Sequence, residues 1–251
     1  MVVTPEIRIV PDAEALAAEA ASLVVERARA AVAARGRFML ALSGGGTPRA
    51  TYARLASLPE PDEMPWDRTW IFFGDERCVP TGHHESNLRM ASDTLLSKVP
   101  VPLGQVFAMR GDSDDSDAAA SEYAKTLAGV FGTRRGELPR FDLILLGFGV
   151  DGHTASLFPG SPVLKEVFRP VAAVHAAAAT IPERITLTFP VINAAACVAF
   201  LGSGTEKAKV VRAMLAERAP LPAAMVEPTD GTLLWILDRA AAALLPSDTK
   251  R

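Results

Sequence analysis

Short apolar segments alternate with longer segments that are rich in Ala, Leu and charged residues, along almost the whole chain. The short segments predict buried strands, and the segment at 141–146 is the strongest of them. The long segment after Asp12 predicts a helix that Asp12 caps and Gly36 ends. Strands are expected at 7–10, 38–42, 70–73, 106–109, 141–146, 184–189, 197–201 and 233–237. Helices are expected at 12–36, 48–58, 86–98, 118–131 and 205–217, with a last Ala-rich helix after the final strand.

Several strand–helix units in series predict an α/β fold, a mostly parallel Rossmann-like sheet with helices on both faces. No long linker rich in Gly, Ser or Pro divides the chain, so we expect residues 1–251 to form a single domain. Ligands of such sheets bind beyond the carboxyl ends of the strands. Four loops that contain glycine fall at these ends, which predicts one shared site formed by 43–47, 74–77, 147–153 and 202–205.

Composition and charge narrow the function classes. The formal net charge is −3, which gives no footprint for nucleic acid or an anionic membrane surface. No apolar run approaches the ~18 residues that a membrane helix needs, and no signal peptide is recognisable, so a cytoplasmic location is expected. Cys78 and Cys197 lie far apart, which argues against a disulfide scaffold. No metal-ligand spacing occurs, so no catalytic metal is expected.

The glycine loop after the second predicted strand is a candidate anion site. Glycines let backbone amides approach a ligand closely, and the N-terminus of the following helix favours a negative charge. The loop lacks the Gly-Lys-Ser/Thr ending of a nucleotide P-loop, so ATP is not expected. An ordinary tight turn is the alternative, but three successive glycines exceed what a turn requires. The candidate binding residues here are Ser43, Gly44, Gly45, Gly46 and Thr47.

The segment 147–152 fits the dinucleotide pattern G-x-G-x-x-G, but the acidic residue expected about 20 residues later is missing. We therefore reject a dinucleotide site. His153 follows directly, beside Asp151 and Gly152, where an imidazole can take a proton from water near neutral pH. The alternative is a histidine that caps the next turn through Thr154 or Ser156, and the spacing alone leaves both possibilities open.

Three cations stand near the predicted site. Arg77 follows Asp75 and Glu76 at a strand end, where it could hold a phosphate or carboxylate, or instead form a salt bridge with those neighbours. Lys207 lies in the first turn of a helix, a position that opposes the helix dipole unless an anion is close. Arg184 is a weaker candidate, and Asn87 could simply belong to a helix cap. No nucleophile elbow G-x-S-x-G occurs, which disfavours covalent serine catalysis.

These residues, in this order, resemble the 6-phosphogluconolactonase family. The resemblance spans nearly the whole chain, and the segment at 151–159, Asp-Gly-His-Thr-Ala-Ser-Leu-Phe-Pro, is its most specific part. Gly46, Phe148 and Val150 stand where many members have Ser, Met and Pro, and these differences leave the polar groups in place. The matching segments are 43–48, 73–80, 86–87, 146–159, 182–186 and 202–207.

The resemblance implies a sugar-phosphate isomerase/deaminase-like scaffold. It also implies hydrolysis of 6-phospho-D-glucono-1,5-lactone to 6-phosphogluconate in the oxidative pentose phosphate pathway, without a cofactor and as a monomer. His153 would activate water, and Asp151 would orient it or only cap the loop. Backbone amides near Gly152, or a cation, would stabilise the oxyanion. Arg77 is expected to take part in catalysis, and the expected substrate-binding residues are Ser43, Gly44, Gly45, Gly46, Thr47, Asp75, Asn87, Gly152, Arg184 and Lys207.

Two other functions compete with this prediction. Glucosamine-6-phosphate deaminases and isomerases share the Asp-Gly-His element, but they typically continue it with Ile-Ala-Phe-Asn-Glu-Pro and carry Tyr at the position of Arg77. A sugar-phosphate sensor that lacks activity would normally carry a DNA-binding helix-turn-helix. The α/β pattern already begins at Ile7 in this chain, which leaves no room for one. The lactonase is therefore the leading prediction.

Overall fold

The structure is a computed structural model that describes residues 4–58 and 64–246. Its main sheet consists of six parallel strands, which are β1 (Glu6–Val10), β2 (Phe38–Leu42), β3 (Thr69–Phe73), β5 (Leu143–Leu146), β8 (Cys197–Gly202) and β9 (Thr232–Asp238). Their order across the sheet is β1-β9-β8-β5-β2-β3, and every pair is parallel. The prediction of a mostly parallel α/β sheet is therefore confirmed.

A second, antiparallel sheet was not predicted. It consists of β4 (Asp75–Arg77), β7 (Glu183–Leu187) and β6 (Val171–His175), in that order. The sequence pattern placed β4 in a loop and missed β6, because a three-residue strand and a short Ala/Val run carry almost no periodicity. The strand expected at 106–109 was wrong, since only a single bridge joins Val106 to Ile71.

The α-helices of the described residues overlap the predicted helices, except the fifth, which was not predicted. They are α1 (Ala13–Arg35), α2 (Gly46–Ala56), α3 (Asn87–Ala91), α4 (Ser116–Phe131), α5 (Phe189–Ala194) and α6 (Ala208–Leu215). The Asp12 side chain accepts a hydrogen bond from the Ala15 N–H, and Gly36 ends α1 in the left-handed region, with φ +73°. The Ala-rich segment after β9 forms turns instead of the expected helix.

Two hydrophobic clusters cover the two faces of the main sheet. Alternating side chains of one strand enter different clusters: Leu40 packs with Leu23 of α1 and Leu55 of α2, whereas Ala41 packs on the other face. That other face also holds Leu127 of α4 and residues of the antiparallel sheet. Helices therefore lie on both faces of the main sheet, whereas the small sheet packs on only one face. Within the described residues, no helix is long and apolar enough to cross a membrane.

Candidate active site

The site lies where the order of the main sheet reverses direction. From β2 the chain passes to β3 on one side, whereas β5 lies on the other side of β2. The loops that follow β2 and β5 therefore leave adjacent strand ends, which is where open α/β sheets bind ligands. The two loops are joined directly, because the Gly147 N–H donates to the Ser43 hydroxyl at 3.1 Å.

A cavity of about 340 Å³ opens between these loops, the small sheet and the start of α6. Most of the predicted site residues line it: Ser43, Gly44, Gly45, Gly46, Thr47, Asp75, Arg77, His153, Arg184 and Lys207. Asn87 lies behind this wall and Asp151 beside it. Four further residues of the lining lie outside the predicted loops and candidates, namely Pro48, Ala155, Leu201 and Glu206.

The glycine loop offers backbone donors. Gly45 is the N-cap of α2, with φ +103°, a conformation that a side chain would strain. No side chain caps this helix, so its first-turn N–H groups have no intrahelical partner. A Cβ on Gly44 would lie 2.1 Å from Oδ1 of Asn87, so only glycine fits there. These features suit the binding of an anion at the helix N-terminus.

His153 pairs with Asp151. The two side chains are 2.6 Å apart between Nδ1 and Oδ1, and Oδ1 also accepts the His153 N–H at 3.2 Å. Partial burial opposes ionisation of Asp151, but the adjacent charge of His153 and its hydrogen bonds keep the pKa of Asp151 below its ordinary value. A carboxylate only accepts, which places the ring hydrogen on Nδ1 and leaves Nε2 free to take a proton. The ring does not cap the following turn.

Gly149 makes room for this pair, since a Cβ there would lie 2.2 Å from Nδ1 of His153. The structure differs from expectation at Gly152. This residue does not line the cavity, and its N–H donates to the carbonyl of Gly149 at 3.1 Å. Its positive φ of 82° forms the loop, and its amide is already engaged, so it is not a free oxyanion donor.

Arg77 and Arg184 face each other across the antiparallel sheet, one on β4 and one on β7. Like charges at directly opposite positions destabilise a sheet unless another charge compensates. Burial lowers the pKa of Arg184, Asp75 opposes that shift, and Arg77 adds to it. Arg184 donates from Nε to the Ile181 carbonyl, and no acceptor in the described chain takes its terminal nitrogens. This pair is therefore a strong candidate for binding an anionic substrate.

Arg77 is held by groups other than its predicted partners. Its Nη1 donates to the carbonyl of Glu85 at 2.7 Å and lies 3.7 Å from the carboxylate of that residue. Glu76 instead accepts backbone N–H groups of Arg77, Asn87 and Leu88 with a buried carboxylate. Burial raises the pKa of Glu76, and these hydrogen bonds oppose that rise. Glu76 was not among the predicted site residues, although it lies between two of them in the sequence.

Asp75 is buried and already hydrogen-bonded. Its Oδ2 accepts from the Ser156 hydroxyl at 2.7 Å, and its Oδ1 accepts from Nδ2 of Asn87 at 3.1 Å. Asn87 is the first residue of α3, but Ser86 provides the N-cap by accepting from the Arg89 N–H. Asp75 thus joins α3 to the segment that carries Ser156; it lines the cavity, and Asn87 holds it from behind.

Lys207 completes the positive side of the cavity. Its Nζ donates to the carbonyl of Phe148 at 2.9 Å and lies 5.7 Å from the centre of that ring. Glu206 adds a carboxylate at the rim. In the part of the chain that the structure describes, no three His, Cys, Asp or Glu residues are grouped so that they could hold a metal ion.

Comparisons with known proteins agree with this geometry. The family "Glucosamine-6-phosphate isomerases/6-phosphogluconolactonase" matches residues 11–235. A 6-phosphogluconolactonase of Homo sapiens is 41% identical over 243 residues, 95% of this chain and 93% of that protein. A probable chloroplastic 6-phosphogluconolactonase of Oryza sativa is 38% identical over 250 residues, 96% of this chain and 76% of that protein.

A solved structure extends the likeness to three dimensions. The 6-phosphogluconolactonase from Trypanosoma cruzi superposes with a TM-score of 0.85 at 30% identity, and the match covers 98% of each chain. The family match and these relatives span the glycine loop, both arginines and the His153 segment. The chain belongs to the family of glucosamine-6-phosphate isomerases and 6-phosphogluconolactonases.

Proposed function

We propose that this protein hydrolyses 6-phospho-D-glucono-1,5-lactone to 6-phosphogluconate, as the names of its relatives imply for them. One observation carries the proposal: His153, which Asp151 holds by a hydrogen bond, lines the same cavity as the Arg77–Arg184 pair. A general base beside two cations suits attack of water on an ester of an anionic substrate.

The reaction then proceeds as follows. Nε2 of His153 takes a proton from water, which attacks the lactone carbonyl. Asp151 stabilises the protonated ring through Nδ1. The ring oxygen leaves as the C–O bond breaks, and His153 returns the proton to it. Since the amide of Gly152 is engaged, a cation stabilises the tetrahedral oxyanion in this proposal.

Three cations and the N-terminus of α2 share the negative charges of the substrate. Arg77, Arg184 and Lys207 contact the phosphate and the lactone oxygens, and the free N–H groups at 45–47 contribute further donors. Asp75 and Asn87 support this wall. The substrate adds a further anion to the carboxylates of Asp75 and Glu85 that already lie near the opposed arginines.

A coupled assay tests the proposal. Freshly made 6-phosphogluconolactone is given to limiting enzyme, 6-phosphogluconate dehydrogenase reports the product, and spontaneous hydrolysis is subtracted. Turnover far above the blank is the expected result. Turnover equal to the blank, with ammonia released from glucosamine 6-phosphate, would replace the proposal by a deaminase function.

A cytoplasmic location, a monomeric state and a single domain over 1–251 stay predictions.

A further inference from the structure

One aromatic ring contacts both halves of the candidate site. The ring of Phe158 stacks on the His153 ring, with centres 4.5 Å apart and planes inclined by 30°. The guanidinium carbon of Arg184 lies 5.4 Å from the centre of the same Phe158 ring. Phe158 is half-buried and packs against the hydrophobic cluster beneath the small sheet, so the core anchors it.

His153 needs a second support. Within the described residues, its ring forms a hydrogen bond only with Asp151, whose side chain is 48% exposed. One hydrogen bond at Nδ1 leaves the ring free to swing about that contact. Stacking on Phe158 removes this freedom and fixes the direction of Nε2. Such alignment matters because a displacement of about 1 Å at a reacting group can cost about 100-fold in rate.

Phe158 is itself placed by a rigid turn. The backbones of Thr154 and Leu157 exchange two hydrogen bonds, at 3.3 and 2.8 Å, around Ala155 in the left-handed region. The Thr154 hydroxyl donates to the carbonyl of Gly147 at 2.8 Å, which joins the turn to the end of β5. The position of the Phe158 ring therefore follows from the core and the main sheet.

We infer that Phe158 is a positioning residue that aligns His153 for proton transfer and sets its place relative to Arg184. The inference rests on the proposed function, because it assigns His153 the role of general base. Phe158 does not touch the reacting atoms and acts only through these two side chains. Its loss therefore lowers kcat through His153, and any increase in KM arises through Arg184.

The test uses two substitutions and a matched control. Phe158→Leu keeps an apolar side chain but removes the aromatic face, and we expect kcat to fall about 10- to 100-fold. Phe158→Tyr keeps the ring and restores kcat. Phe131→Leu is the control, because Phe131 is another half-buried phenylalanine on the same cluster and lies outside the cavity. It lowers the melting temperature without lowering kcat.

A double-mutant cycle separates positioning from general damage. In a His153→Ala background, Phe158→Leu should cause no further loss of kcat, since residues that act as a unit are not additive. An equal loss in both backgrounds would overturn the inference. So would an unchanged kcat of Phe158→Leu in the wild-type background.

A spectroscopic measurement does not depend on activity. The Cε1 proton of His153 lies near the Phe158 ring, so Phe158→Leu should shift its NMR resonance, while Phe131→Leu leaves it in place. A His153→Ala spectrum assigns the signal. An unshifted resonance would overturn the stacking itself. A different outcome would refute the proposed function and leave the stacking intact: Phe158→Leu shifts the His153 resonance, but the wild-type protein shows no lactonase turnover.

Discussion

The two sheets contribute to the site in different ways. The parallel sheet supplies loops: backbone N–H groups at 45–47 and the His153 ring all follow its strand ends. The antiparallel sheet supplies side chains directly from its strands, with Arg77 on β4 and Arg184 on β7. In the loops, glycine allows the backbone conformations that place the functional groups. In the strands, the pairing register of β4 with β7 places the side chains.

This difference separates two kinds of function. The glycine-containing loop at 147–153 brings the base His153 to the reacting carbonyl, so its disturbance should act on kcat. Opposed arginines hold an anion through charge, so their loss should act mainly on KM. If the site divides in this way, substitutions in the two regions should change different kinetic constants.

The largest effect is expected from the base. His153→Ala should lower kcat about 10²- to 10⁴-fold, the usual span for general acid–base catalysis, with little change in KM. Steady-state kinetics in the coupled assay measure both. His175→Ala is the matched control, because His175 pairs with Glu183 at the exposed end of β6 and should leave kcat unchanged. Near-normal turnover of His153→Ala would remove His153 from the mechanism.

A smaller but still large loss is expected from Gly149→Ala. The added Cβ would lie 2.2 Å from Nδ1 and 2.4 Å from Oδ1 of the His153–Asp151 pair, so the pair must move. Displacement of the base by about 1 Å predicts a fall in kcat of about 100-fold. Gly129→Ala, at an exposed position of α4 with open space at its Cβ, should be harmless. If both variants keep their kcat, the loop tolerates more movement than its packing indicates.

The antiparallel sheet should respond through KM. Arg184→Gln should raise KM about 10- to 100-fold, because a hydrogen bond to a charged group contributes about 1.5–3 kcal/mol. Arg184→Lys should recover part of the loss, since it restores the charge without the planar fork. Arg140→Gln, on the exposed surface beside Asp230, is the control. A loss confined to kcat would place Arg184 at the oxyanion. It would contradict the idea that the antiparallel sheet acts mainly on KM.

The sequence predicted these two regions unequally, for physical reasons. The buried runs of β2, β5 and β8 and the capped helix α1 have strong periodicity and clear end signals, and the structure agrees with them. The glycine loops can be predicted from residue type alone. The pairing of Arg77 with Arg184 cannot, because it depends on contacts between residues more than 100 positions apart. The engagement of the Gly152 amide by Gly149 likewise depends on loop geometry that composition does not encode.

The smallest effect concerns a turn that leads into β6, one of the two edge strands of the small sheet. The carboxylate of Glu166 accepts the N–H groups of Val167, Phe168 and Arg169 and pairs with the Arg169 side chain. The backbone hydrogen bonds of Arg169 and Phe168, followed by the Arg169 side chain, lower the pKa of Glu166 from 4.5 to about 2. A carboxylate with a lowered pKa stabilises the fold above its unfolded pKa, and this stabilisation is lost as the pH falls toward the folded value.

Glu166→Gln should therefore be less stable than wild type at neutral pH, and the difference should shrink as the pH drops from about 4.5 toward about 2. Urea unfolding across this range measures the difference, with Glu122→Gln, at an exposed position of α4, as the control. A difference that widened in acid would contradict the sign. Because the turn lies outside the cavity lining, kcat should not change. An increase in KM alone would show that the pairing of β6 with β7 helps to position Arg184. A site whose side chains are placed by strand pairing predicts such an effect.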